Sequence, residues 1–108
     1  MIGKNIMEIG MIGLGRMGGN MAERLLAGGH RVVGFDPSAE ARQALEQHQG
    51  TASDSVPDLV AKLSAPRAVW MMIPAGEAVD QTLAVLLPLL DAGDLVVARD
   101  WVAAHGRW

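Results

Sequence analysis

Three glycines at the spacing Gly13, Gly15 and Gly18 stand between an apolar run and a segment of helical periodicity, in the stretch Gly13-Leu14-Gly15-Arg16-Met17-Gly18. In that setting the first glycine permits a tight turn, the second leaves room for a pyrophosphate beside the backbone, and the third lets the helix pack close to the strand. N–H groups at the helix start, reinforced by the helix dipole, would then hold the phosphates. A second apolar run ends in Asp36, 18 positions after Gly18. There a carboxylate would accept hydrogen bonds from the ribose hydroxyls of adenosine. The ligand so described is a dinucleotide. The same carboxylate repels a 2′-phosphate, and neither Pro37 nor Ser38 is an arginine that could accommodate one, so NAD is expected over NADP. Taken alone, the glycines also suit a tight strand-to-helix turn with no ligand, and Asp36 also suits a turn or a helix cap.

Such residues need a scaffold of strands and helices in alternation, and the pattern supplies one. Residues 6–12 are almost entirely apolar, as in a strand buried on both faces. A helix is expected over 17–26 with Met17, Met21 and Leu25 on one face, ended by Gly28 and Gly29. A strand over 31–35 follows. Pro37 and Ser38 open a helix running to about residue 47, and 51–53 form a short third strand. Ser55 or Asp54 caps a helix whose apolar stripe is Val56, Leu59, Val60 and Leu63. Residues 67–73 form another buried strand ended by Pro74. The helix over 77–87 carries the stripe Val79, Leu83, Leu86 and Leu87, and a turn leads to the strand 95–98. This order implies an α/β fold, a Rossmann-type doubly wound and mostly parallel sheet, incomplete at its C-terminal end. Residues 1–98 form the dinucleotide-binding domain and 99–108 a divergent tail. In such a sheet ligands lie beyond the carboxyl ends of the strands, so the loop Ile73-Pro74-Ala75-Gly76 borders the same cleft, unless it is an ordinary strand-to-helix turn.

Composition narrows the partners. The 108 residues fit one small domain, and half of them are hydrophobic while 19% are charged, as in a folded globular protein. A net charge of −3 and no run of Lys or Arg argue against nucleic acid. No apolar stretch reaches the ~18 residues of a membrane span, no leader is visible, and there is no cysteine, so a cytoplasmic location is expected. His30, His48 and His105 show no metal-ligand spacing, and the seven methionines read as core filler.

The segments "IGMIGLGRMGGNMAERLLAGGHRVVGFDPS", "DSVPDLVAKLSAPRAVWMMIPAG" and "LLPLLDAGDLVV" resemble the amino-terminal domain of the decarboxylating 6-phosphogluconate dehydrogenases, NAD-preferring type, within the β-hydroxyacid dehydrogenase superfamily. The resemblance covers residues 7–97. It implies dinucleotide contacts at Gly13, Leu14, Gly15, Arg16, Met17 and Gly18, at Asp36, Pro37 and Ser38, and at Ile73, Pro74 and Ala75. It also implies oxidation of a 3-hydroxyl by hydride transfer to nicotinamide, then decarboxylation to ribulose 5-phosphate. Where the family carries Asp-Gly-Gly-Asn-Ser, this sequence reads Ala98-Arg99-Asp100-Trp101-Val102, without the substrate-side asparagine. The family's catalytic lysine and glutamate lie past the residues matched here, so no catalytic residue is assigned. A non-catalytic nucleotide-binding or interaction protein, or a truncated gene product, remains the alternative. With no residues for another crossover, an open sheet edge or the tail around Trp101, Val102 and Trp108 would favour a homo-oligomer.

Overall fold

The computed structural model describes residues 6–73 and 76–98. Five strands form one parallel sheet: β1 (Glu8–Ile12), β2 (Arg31–Phe35), β3 (Thr51–Ala52), β4 (Ala68–Met71) and β5 (Leu95–Ala98). Their order is β3-β2-β1-β4-β5, so the chain winds outward from β1 in one direction and returns to wind outward in the other. The reversal falls between β1 and β4, at the end of the strand that carries the glycine turn. Register is continuous across the centre, with Ile12 opposite both Phe35 and Met71.

Alternation within the strands sends residues to two cores. On one face Ile12, Val33, Val69, Met71 and Val96 pack under α3 (Val56–Ala61) and α4 (Glu77–Leu86). On the other, Met11 and Val32 pack under α1 (Arg16–Ala27) and α2 (Ala39–Gln47), with Trp70 and Met72 at the margin. Both faces being covered explains why the strands read as unbroken apolar runs.

The structure corrects several details. On α1 the buried residues are Gly18 and Ala22, not a methionine stripe; Met21 and Leu25 are only partly buried and Met17 is 49% exposed. Close approach at Gly18 presses the small-residue side of α1 onto the sheet and rotates Met17 outward. Leu87 is also exposed, because α4 ends at Leu86 and the chain tightens into a 3₁₀ turn, Leu87–Leu89, at Pro88. Ser55 alone caps α3, accepting from the Asp58 N–H at 3.1 Å, whereas Asp54 donates its own N–H to the Asp58 carboxylate. Ser38 likewise caps α2, with Pro37 outside the helix. Methionine serves as core filler at Met11 and Met71, but Met7 and Met17 are about half exposed. Among the described residues no helix is long and apolar enough to cross a membrane. The tail from Arg99 onward, with Asp100, Trp101, Val102, His105 and Trp108, lies outside the described residues, as do Pro74 and Ala75.

Candidate functional site

Strand β1 delivers the chain to Gly13, whose φ of +97° is open to glycine and costly for other residues. The Gly13 N–H donates to the Phe35 carbonyl at 2.9 Å, extending the β1–β2 ladder one step past the strand end. A side chain at Gly13 would strike the Met72 carbonyl and Ile73 Cγ2, each at 2.9 Å. Ile73, the first residue of the third loop, is thereby set against the turn. At Gly18 a Cβ would overlap the Gly13 carbonyl oxygen, so α1 can lie this close to its own turn only without a side chain there. Gly15 differs from both. A Cβ at Gly15 would meet nothing within 4 Å, so its missing side chain keeps a space open and relieves no crowding inside the chain.

Helix α1 begins on that glycine with no side-chain cap and no acidic residue in its first turn. The other helix starts are treated otherwise. Ser38 caps α2 and Ser55 caps α3, while α4 carries Glu77 and Asp80 in its first turn. Since acids and side-chain acceptors satisfy the positive end of a helix, α1 is the start most open to an outside anion.

Asp36 joins the second strand end to this turn. Its Oδ2 accepts the Leu14 N–H at 2.8 Å and its Oδ1 accepts the Ser38 N–H at 2.8 Å. The carboxylate therefore does hold its own turn, as the local reading allowed. It is also fixed beside the glycine segment, across 22 residues of sequence. Each oxygen retains a further lone pair. Around the turn lies an open concavity of about 660 Å³ lined by residues 15–18 together with Asn20, Met21, Arg24 and Met72. A smaller recess of about 130 Å³ lies between α1 and α2, floored by Leu14 and Leu45 and edged by Glu23 and His48, whose side chains meet at 3.3 Å.

The structure thus gathers Gly13, Leu14, Gly15, Arg16, Met17, Gly18, Asp36, Pro37, Ser38 and Ile73 at the carboxyl ends of β1, β2 and β4. It also brings in Arg42, which the sequence reading did not consider. Arg42 is the fourth residue of α2, and its Nη1 donates to the Asp36 carbonyl at 2.6 Å and the Pro37 carbonyl at 3.2 Å. The available signal was helix geometry, because side chains in a first turn lean back toward the helix start. His30 accepts the Met7 N–H at the opposite rim, far from this chemistry.

A family model described as the NAD binding domain of 6-phosphogluconate dehydrogenase matches residues 8–101. The NAD(+)-dependent, decarboxylating 6-phosphogluconate dehydrogenase of Haloferax volcanii is 50% identical over 91 residues, 84% of this chain and 30% of that protein. The decarboxylating enzyme of Haemophilus ducreyi is 39% identical over 97 residues, 83% of this chain and 20% of its own length. Among solved structures, Mycobacterium tuberculosis 3-hydroxyisobutyrate dehydrogenase with L-serine superposes with a TM-score of 0.79 at 28% identity, covering 94% of this chain and 37% of that one. Plasmodium falciparum 6-phosphogluconate dehydrogenase, solved without ligand, with NADP+ and with 6-phosphogluconate, gives 0.76 at 26% identity, covering 84% and 21%. The chain spans less than a third of the length of the curated relatives it matches.

Proposed function

This chain belongs to the family of 6-phosphogluconate dehydrogenase NAD-binding domains and is an NAD(P)-binding domain, and on that premise we propose that it takes NAD in preference to NADP. The observation that carries the reading is the Asp36 carboxylate, held 2.8 Å from the Leu14 N–H of the glycine turn. Its remaining lone pairs accept from the ribose hydroxyls, and its charge opposes a 2′-phosphate. The pyrophosphate lies over the open space at Gly15, met by the start of α1. Gly13, Leu14, Arg16, Met17 and Gly18 shape that cradle, Pro37 and Ser38 flank the ribose, and Ile73 stands beside Gly13; contacts at Pro74 and Ala75 are what the family resemblance implies. The name of the Haloferax volcanii relative, NAD(+)-dependent, supports the same preference.

When bound, the nicotinamide ring supplies the hydride acceptor. The residues named here bind and orient it. In a protein of the relatives' length the reaction served is oxidative decarboxylation of 6-phosphogluconate. Calorimetric titration with NAD and NADP tests the preference. One lost pair of hydrogen bonds and a carboxylate–phosphate repulsion amount to roughly 1 to 3 kcal/mol, or about tenfold to a hundredfold in affinity. Equal or tighter binding of NADP overturns it.

We further infer self-association through the outer edge of β5, which has no strand partner among the described residues and carries exposed Leu95, with the tail that follows it at the contact. Light scattering before and after deletion of residues 100–108 tests this. A monomer at high micromolar concentration, or an oligomer unchanged by the deletion, contradicts it.

A further inference from the structure

We propose that Arg42 is a second determinant of cofactor choice, a cation placed to pair with a phosphomonoester on the adenosine ribose, so that this domain retains affinity for NADP in spite of Asp36. The proposal rests on the dinucleotide reading above and adds a residue to it.

The geometry begins with helix direction. Arg42 sits in the first turn of α2, and its side chain runs back over the loop 36–38. Nη1 is pinned there by two backbone carbonyls, those of Asp36 at 2.6 Å and Pro37 at 3.2 Å. A guanidinium has five donor hydrogens in a fixed plane, and among the described residues Nε and Nη2 of Arg42 make no hydrogen bond. The half-buried guanidinium is therefore anchored by one nitrogen with the rest of its fork unspent.

Charge pairing points the same way. Arg31 and Arg67 meet carboxylates, Glu8 for the first and Asp91 and Asp94 for the second. Arg42, like Arg16 and Arg24, forms no ion pair among the described residues, and it alone of the three is held on the backbone of an aspartate. The Asp36 carboxylate instead faces the Leu14 N–H through one oxygen and the Ser38 N–H through the other, and neither oxygen pairs with Arg42. One residue thus presents its carboxylate on one side and a guanidinium on its carbonyl. A ribose hydroxyl seated on that carboxylate lies beside the cation. A phosphate on that hydroxyl meets repulsion from Asp36 and attraction from Arg42, and planar guanidinium is the group suited to bind phosphate through paired donors.

The competing account is that Arg42 merely braces the 36–38 loop. The two differ in what they do to the ratio of affinities. Calorimetry on the wild type, Arg42→Ala and Arg42→Lys with NAD, NADP, 5′-AMP and adenosine 2′,5′-bisphosphate separates them. The ratio of the NADP Kd to the NAD Kd should rise about tenfold in Arg42→Ala, the cost of one phosphate contact, and fall only partway back in Arg42→Lys, which keeps the charge but not the paired donors. The bisphosphate should follow NADP, and the salt dependence of its binding should weaken in Arg42→Ala. Equal losses for NAD and NADP would assign Arg42 to the brace, and an unchanged ratio, or no NADP binding by the wild type, would also overturn the proposal. If the wild type binds NAD normally, those results leave the dinucleotide reading intact; if it binds no dinucleotide, both readings fall together.

Discussion

The two rims of the sheet are built to opposite rules. At the amino-terminal rim the chain's own polar groups answer one another. The Arg67 N–H donates to Asp94 Oδ1 at 2.5 Å, its guanidinium reaches Asp94 Oδ2 at 3.1 Å and Asp91 at 3.3 Å, and the Asp91 N–H closes the ring on Asp94 at 2.8 Å. Beside them Glu8 accepts the Ser64 N–H at 2.8 Å and faces Arg31 at 3.6 Å. At the carboxyl rim, α1 starts with no cap and no acid, Gly15 borders open space, and Arg42 has no counterion among the described residues. One rim spends its hydrogen-bonding capacity on joining strands, and the other leaves part of it for a ligand. Stability and binding should therefore respond to different substitutions.

The sharpest contrast comes from Gly15→Val. Because nothing lies within 4 Å of a Cβ there, the fold should persist by circular dichroism, while the space for the pyrophosphate is filled. Dinucleotide affinity should drop more than about a hundredfold. Normal binding would mean that the phosphates do not sit on this turn. Asp36→Asn should act on the same rim more gently. The amide keeps the shape and one of the two acceptors facing the Leu14 and Ser38 N–H groups, and it removes the charge, so the gap between NAD and NADP should narrow about tenfold. A gap left as wide as in the wild type would show that the charge is not what discriminates.

At the other rim, Asp94→Asn should lower the thermal midpoint and leave the NAD Kd within experimental error. The N–H groups of Arg67 and Asp91, together with the Arg67 guanidinium, hold the Asp94 carboxyl below its ordinary value of 3.8. Its pKa is thus lower folded than unfolded. The stability this contributes is complete above the unfolded value and is lost as pH falls through the folded one. Asp58, lowered chiefly by its hydrogen bond from Lys62, adds in the same direction. Unfolding followed below about pH 4 should show a shallower loss in Asp94→Asn than in the wild type; parallel curves would contradict this. The smallest effect is expected for Ser55→Ala, which removes the cap of α3 at a cost of about 1 kcal/mol in denaturant unfolding with cofactor affinity unmoved.

Much of this architecture is readable in the chain. Strands β2 and β5 fall where residues 31–35 and 95–98 place them, because Val32 and Val33 in the one and Val96 and Ala98 in the other form apolar runs buried under the helices. The glycine turn was legible for a related reason: positive φ at Gly13 and contact at Gly18 both exclude side chains, and that exclusion is written as residue type. Orientation was less legible. Periodicity places Met17, Met21 and Leu25 on one stripe, but it does not say how far the helix is rotated about its axis once Gly18 lets it descend onto the strand.

What the sequence determined by itself is therefore the alternation of strands and helices, the turn at residues 13–18 and the presence of a carboxylate at the end of β2, since each depends on neighbours within a few residues. Only the tertiary structure decided that β4 lies beside β1, that Asp36 aims its carboxylate at Leu14 across 22 positions, and that Arg42 rests on the carbonyl of that same aspartate. Those contacts follow from how the strands are stacked side by side and how α2 leans back over its own loop, and residue types along the chain do not encode such distances locally.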